Sequence, residues 1–283
     1  MYEFRTDIIV TSGITVNLAA GTVVGDASVG SDTLLSIESV RGTHFSDTYD
    51  ATGFTTVPTI ALLNAGSAGA INTGAALNEF EGLGGDDIIT GNGNTRIAYI
   101  NATSGVTIDL AFGTATGDAS VGHDTITGGV NSIIGSGFAD TLYGTSNSTP
   151  LTSEVFDGGA GNDTLVDRGG FDMAVYNANL GTASGITVNM AAGTVSGDAS
   201  IGNDILSSIE SIRGTNFNDI YVASGFNGAS DGLPFGATFN EFEGMGGNDI
   251  HREWRYPHFV CECFGRGNGQ PGRHRYRQQF CRV

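Results

Sequence analysis

Three stretches of this chain are near-copies of one another. SGITVNLAAGTVVGDASVGSDTL starts at Ser12, SGVTIDLAFGTATGDASVGHDTI at Ser104 and SGITVNMAAGTVSGDASIGNDIL at Ser184, with offsets of 92 and 80 residues. A second block follows each copy: IESVRGTHFSDTY ending at Tyr49, NSIIGSGFADTLY ending at Tyr143 and IESIRGTNFNDIY ending at Tyr221. A third block closes each unit: FEGLGGDDII from Phe80, FDGGAGNDTL from Phe156 and FEGMGGNDI from Phe242. Repeats of this kind constrain a fold strongly, because each unit must bury its apolar face against its neighbours. Residues 1–250 therefore divide into units of about 1–90, 91–166 and 167–250.

The first block alternates. Ile14, Val16 and Leu18 face one way, with Thr15 and Asn17 facing the other. Val106, Ile108, Leu110 and Ile186, Val188, Met190 repeat the pattern. A period of two residues marks a strand with one buried face. Gly and Asp clusters then break the chain at short intervals. The expected fold is all-β, a parallel β-roll or β-helix solenoid built from about three long repeats. The stretches Ala51 to Leu77 and Val222 to Ala237 are expected to form loops on one side. A disordered acidic linker would not place Val, Ile and Leu so regularly.

Composition narrows the function. Residues 1–250 hold 28 acidic residues against five arginines, with no Lys and no Cys. Such a charge repels nucleic acid and anionic membrane surfaces. No stretch approaches a transmembrane span, so no membrane insertion is expected, and no signal peptide is visible. A body free of Cys has neither a disulfide framework nor a thiolate zinc site. Its charge must be solvated or neutralised by cations.

GGAGNDTLV, Gly158 to Val166, matches G-G-x-G-x-D-x-U-x without a mismatch, U being a large apolar residue. Calcium takes six to eight oxygens in flexible geometry. Glycines let the backbone turn sharply and aim carbonyls inward. The acid adds a carboxylate, and the apolar residue anchors the turn. Candidate ligand positions are thus Gly158, Gly159, Gly161, Asn162 and Asp163. Two turns align with it. One is Gly82, Gly84, Gly85, Asp86 and Asp87, with Leu83 at the second glycine position. The other is Gly244, Gly246, Gly247 and Asp249, with Met245 at that position. A side chain there must avoid positive φ or tolerate it at some cost. Looser turns place Asp47, Asp140 and Asp219 before an apolar or aromatic residue. Asp32, Asp124 and Asp204 stand similarly in GSDTL, GHDTI and GNDIL, where plain turn roles are expected.

On these motifs, residues 1–250 resemble the hemolysin-type calcium-binding (RTX) repeat proteins that bacteria secrete, in the variety with strand-rich spacers of the SGVTIDL kind. The resemblance implies bound calcium and a secreted, type I exported, or surface location. It also implies tandem nonapeptides. Here each stands alone, 76 and 86 residues from the next, so another turn must complete each site. The GTxFxD turn upstream is one candidate, and Gly169 to Asp172 is another.

After Ile250 the chain changes character. Residues 251–283 hold all three cysteines, the only Trp and seven of the twelve arginines. Back-translated and shifted by one nucleotide, HREWRYPHFVCECFGRGNGQPGR can be read as TGNGDTRISYVNASGGVTVNLA, close to TGNGNTRIAYINATSGVTIDLA from Thr90. The tail is therefore expected to be an out-of-frame reading of the next repeat and to form no domain. This disposes of its cysteine cluster as a zinc site and of its arginines as an RNA-binding patch. The opening residues begin in mid-repeat, as a fragment of a larger protein would.

No catalytic constellation is identifiable. GASDG around Ser230 has the letters of a nucleophile elbow but lacks its strand–turn–helix context. Arg41, Arg96, Arg168 and Arg213 are expected as spaced surface residues. Three functions stay open. One is a calcium-loaded β-roll with a structural or adhesive role, its partner a cell-surface glycan or protein. The others are a carbohydrate-active β-helix enzyme or its glycan-binding part, and a metal-independent surface solenoid.

Overall fold

A computed structural model describes residues 10–55, 77–146, 153–177, 181–226, 240–252 and 275–277. Most of the two expected loop stretches, Ser230, and all but a few tail residues lie outside the described residues. Every described element is a short strand. The first unit contains β1 (Thr15–Asn17), β2 (Thr22–Val24), β3 (Ser31–Thr33), β4 (Ser39–Arg41), β5 (Thr48–Asp50), β6 (Asn78–Glu81) and β7 (Ile88–Thr90). The second contains β8 (Thr95–Ala98), β9 (Thr107–Asp109), β10 (Thr114–Thr116), β11 (His123–Ile126), β12 (Val130–Ile134), β13 (Thr141–Tyr143), β14 (Val155–Asp157) and β15 (Thr164–Val166). The third contains β16 (Met173–Val175), β17 (Thr187–Asn189), β18 (Thr194–Ser196), β19 (Asn203–Ser207), β20 (Ser211–Arg213), β21 (Ile220–Val222), β22 (Glu241–Glu243) and β23 (Ile250–Arg252). A last strand, β24 (Arg275–Arg277), pairs antiparallel with β22.

These strands build two long sheets with the core between them. One sheet has nine strands, β4-β6-β8-β12-β14-β16-β20-β22-β24. Apart from the β22–β24 pair its ladders are parallel, and each central side chain points inward. Val40, Phe80, Ile97, Ile133, Phe156, Ala174, Ile212 and Phe242 stack in register as one buried column. Burying a residue of this size contributes about 1.5–3 kcal/mol. Among the described residues no helix is long and apolar enough to cross a membrane.

The other sheet has fifteen strands because each SGxTxxL block enters it as a three-stranded meander. The second block shows how. β9 pairs with the later β13, β10 turns back antiparallel, and β11 pairs with the earlier β7. The local cause is a tight loop. Asn17, Asp109 and Asn189 accept the amides of Ala20, Phe112 and Ala192 at 2.8, 3.0 and 3.1 Å. The inward column of this sheet is consequently cut into three: Val16–Tyr49–Ile89–Ile126, Ile108–Leu142–Leu165–Leu206 and Val188–Tyr221–His251.

Two sequence expectations are corrected by this register. Leu142, not Tyr143, is the equivalent of Tyr49 and Tyr221, whose hydroxyls donate to Asn78 and Asn240 at 2.9 Å. Tyr143 points outward beneath the guanidinium of Arg168, 4.9 Å from its ring centroid. The arginines are not independent surface charges. Arg41, Arg96 and Arg168 pair with Glu81, Glu79 and Asp109. Arg213 pairs with Glu243 at 2.9 Å, and both side chains are buried. The tail takes part through His251, whose ring stacks on Tyr221 at 5.0 Å.

Candidate metal centre

All the motif turns lie on one edge of the solenoid, where the chain passes from the nine-stranded sheet to the fifteen-stranded one. Turn 42–47 stacks on 82–87, which stacks on the turn ending at Asp124. Turns 135–140, 158–163 and the turn ending at Asp204 form a second stack. Turns 214–219 and 244–249 form a third. The GTxFxD turn expected to complete each glycine turn is therefore its spatial neighbour. Gly169 to Asp172 is not: it lies at the other end of β15 from Asp163.

The aspartates join the stacks as a ladder of side chain to backbone. Asp47 Oδ1 accepts the Ile14 amide at 2.7 Å, Asp87 Oδ1 that of Asp47 at 2.8 Å, and Asp124 Oδ1 that of Asp87 at 3.0 Å. The second stack repeats this through Asp140, Asp163 and Asp204, and the third through Asp219 and Asp249. One position earlier, Asp86 and Asn162 accept the amides of His123 and Asn203 at 2.9 and 2.8 Å. Asp124 and Asp204 thus belong to the ladder, where the sequence led to the expectation of plain turn roles. Their place before Thr-Ile and Ile-Leu, matching Asp163 before Thr-Leu, was the available signal. Asp32 has no such place: it lies on β3, at the end of its sheet.

The first glycine of each turn is needed for space. A Cβ on Gly82, Gly158 or Gly244 would lie 1.7, 2.2 or 2.0 Å from Oδ2 of Asp87, Asp163 or Asp249. The carboxylate folds back onto the start of its own turn, and only glycine leaves room.

The two kinds of turn differ in what they do with that second oxygen. In the two GTxFxD turns and in the related GSGFAD turn, 135–140, it is satisfied. Asp47 Oδ2 accepts the Thr43 amide at 2.7 Å, Asp140 Oδ2 that of Ser136 at 2.5 Å, and Asp219 Oδ2 that of Thr215 at 2.8 Å. The hydroxyls of Thr43, Ser136 and Thr215 donate to the Oδ1 atoms. In the glycine turns the second residue has positive φ: +67° at Leu83, +90° at Gly159 and +62° at Met245. The Gly159 amide goes to Asp157 instead. Asp87 Oδ2 and Asp163 Oδ2 are left buried with no hydrogen-bond donor.

Burial, with neighbouring carboxylates, raises Asp87 to about 8 and Asp163 to about 9. Asp124 and Asp204 are raised by burial to about 6, the former also held by the Tyr99 hydroxyl at 2.8 Å. Burial raises Asp47, Asp140 and Asp219 as well, against the pull of their backbone donors. An unpartnered buried carboxylate oxygen beside a second carboxylate suits a hard cation that prefers oxygen ligands. The residues at Asp87 and Asp163 fit calcium by that test. Asp47, Asp140 and Asp219, with both oxygens occupied, fit a structural role.

Leu83 permits a separate check of the turn geometry. A left-handed conformation costs a non-glycine residue roughly 1–2 kcal/mol, and glycine returns about 0.5–1 kcal/mol as unfolded-state entropy. Leu83→Gly is expected to raise stability by about 1 kcal/mol, read as a higher urea midpoint at unchanged slope. A lower midpoint would show that the half-buried leucine contributes more than its backbone costs.

No protein-family model matches this chain, and no curated protein matches it.

Proposed function

We propose that this chain is a calcium-binding repeat region of a secreted or surface protein, in which calcium neutralises the motif turns and completes the solenoid. The observation that carries the reading is the contrast at the second aspartate oxygen. It is saturated by backbone amides in the GTxFxD and GSGFAD turns and left without a donor at Asp87 and Asp163. Within residues 1–250, 28 acidic residues face five arginines, four of them already paired among the described residues. Without cations such a body repels itself; with them adjacent turns are drawn together. Extracellular calcium modules bind at about 10⁻⁴–10⁻³ M, a range that leaves the chain loose inside a cell and folded outside it. The role is structural or adhesive, with a cell-surface glycan or protein as partner.

The aspartate ladder itself favours the competing reading of a metal-independent solenoid, since it ties turns together with no cation. Calcium titration of the full chain, followed by far-UV circular dichroism and thermal melting with magnesium as control, separates the two. At a hundred times the dissociation constant each site adds about 2.7 kcal/mol. A calcium-specific gain in β signal and melting temperature, reversed by chelator and reduced in Asp163→Asn, is expected. Melting indifferent to both calcium and chelator would leave the plain solenoid.

A further inference from the structure

The second repeat departs from the other two at one place on the surface, where several side chains change together. Asp109 stands where the others have Asn17 and Asn189, and Phe112 where they have Ala20 and Ala192. Tyr143 faces Asp109 across β13 and β9, where Asp50 faces Asn17 and Val222 faces Asn189. Arg168, two residues beyond β15, stands where the first repeat has Asn92, two residues beyond β7.

The four side chains form one cluster. Arg168 donates to both carboxylate oxygens of Asp109 at 2.8 and 2.7 Å, and to the Gly144 carbonyl at 3.2 Å. Its guanidinium lies over the Tyr143 ring at 4.9 Å and over the Phe112 ring at 5.7 Å. Asp109 Oδ1 also accepts the Phe112 amide at 3.0 Å. A bidentate pair thus braces both rings by cation–π contact. Phe112 is nonetheless 80% exposed. The loop closes as well on alanine, since the Ala20 and Ala192 amides reach Asn17 and Asn189 at 2.8 and 3.1 Å. A phenylalanine that its loop does not need, braced from one side and left in water, points to contact with something outside the chain.

The chemistry of that contact can be narrowed. Arg168 already fills the place a cationic ligand would take between the rings. Its charge is spent on Asp109, and the surrounding body is strongly acidic, so an anion gains nothing. A protein partner needs about 800 Å² on each side. One exposed phenylalanine, a partly buried tyrosine and an arginine side chain 29% exposed offer far less. An uncharged sugar ring fits. The C–H bonds of one of its faces meet the negative face of an aromatic ring. Guanidinium donors beyond those given to Asp109 and Gly144 can meet its hydroxyls.

We propose that Phe112, Tyr143, Arg168 and Asp109 form a subsite for an uncharged saccharide, with the open face of Phe112 as its platform. The subsite specifies the glycan partner of the function proposed above, and rests on that reading for its partner but not for its calcium. Tyr143 and Arg168 stand at the ends of β13 and β15 away from Asp140 and Asp163, so the sugar and the motif turns occupy opposite edges.

Saturation-transfer difference NMR on the full chain tests this, with maltohexaose, cellohexaose and laminarihexaose as probes. Transfer to the ring protons of at least one is expected, with a Kd on the order of 1 mM. Phe112→Ala gives position 112 the side chain that positions 20 and 192 carry, so the loop is kept, and binding should weaken at least about tenfold. Leu35→Ala removes a side chain equally exposed, at 80%, in the first repeat and should leave the signal unchanged. No transfer to any of the three sugars would overturn the proposal, as would a signal that survives Phe112→Ala or falls equally with Leu35→Ala. Sedimentation that depends on concentration in the unaltered chain but not in Phe112→Ala, without sugar binding, would make a second copy the occupant and also overturn it. Repeating the titration in chelator separates this site from the calcium role. Phe112-dependent binding in a chain whose melting ignores calcium supports the subsite alone. Calcium-dependent melting with no transfer leaves the calcium role and sinks the subsite.

Discussion

Gly202→Ala is expected to destabilise the protein by about 4 kcal/mol, while Gly30→Ala costs only about 1–2 kcal/mol. The two glycines hold the same place in the repeat, GSD and GND, and the same local turn. Each accepts the amide of the residue five positions earlier, Gly25 or Gly197, at 2.8 Å, and has positive φ, +84° at Gly30 and +97° at Gly202. Both substitutions therefore pay for a left-handed alanine. What differs is the next rung. A Cβ on Gly30 meets nothing within 4 Å, whereas one on Gly202 would lie 1.5 Å from the carbonyl oxygen of Gly161. That oxygen belongs to the 158–163 turn and cannot move without pulling the turn off its neighbour. Overpacking of this kind costs about 1–3 kcal/mol beyond the backbone term. Urea denaturation of the two variants measures the gap. Equal losses would mean that the Gly161 carbonyl does not crowd position 202.

Without calcium, stability is expected to fall as pH rises from about 5 to 9, by on the order of 10 kcal/mol. The acids responsible have folded pKa values above the unfolded value of 3.8: about 6 at Asp124 and Asp204, about 8 at Asp87 and about 9 at Asp163. Between the unfolded and folded values the native state holds more protons than the unfolded chain. Stability is then complete below the unfolded pKa and is lost as pH climbs through the folded ones. Asp118, lowered to about 2 by Ser120, acts the other way only in more acid solution. Melting curves in chelator from pH 5 to pH 9 give the slope directly. Calcium at about 10 mM, above the weakest extracellular modules, should flatten it by taking the protons' place. Asp163→Asn should flatten part of it with no calcium at all, since the amide keeps an acceptor for Asp140 and carries no charge. Stability rising with pH in chelator would contradict the buried-acid account.

The parallel solenoid could be read from Ile14, Val16 and Leu18 and their counterparts, because a half-buried strand shows its period directly. The turn that follows, GTVVGDASVGSDTL, concealed a reversal. β10 buries little more than Ala115, so three residues offered no period to find. The motif aspartates were legible because glycine, acid and apolar residue recur at fixed spacing. Which of them lack a donor was not, since that depends on whether the second residue of the turn has positive φ. Leu83 and Met245 do so against their own preference, and no propensity argument from one sequence finds that. Arg213 was misplaced at the surface for a related reason: its partner Glu243 lies thirty residues away and reaches it only through the register of β20 with β22.

The antiparallel strands β10 and β18 interrupt the inward column of the fifteen-stranded sheet, and the aspartate ladder is interrupted with it. Under tension such a molecule would not behave as a single spring. A hairpin opens one bond at a time, whereas a stack tied rung to rung by carboxylates resists until it yields as a group. Drawn out by its ends, the chain would lengthen in steps set by the repeat offsets of 92 and 80 residues. Each step would release roughly 300 Å of slack, from about 3.4 Å of extended chain per residue. A tether built this way absorbs a pull by surrendering one block while the others hold.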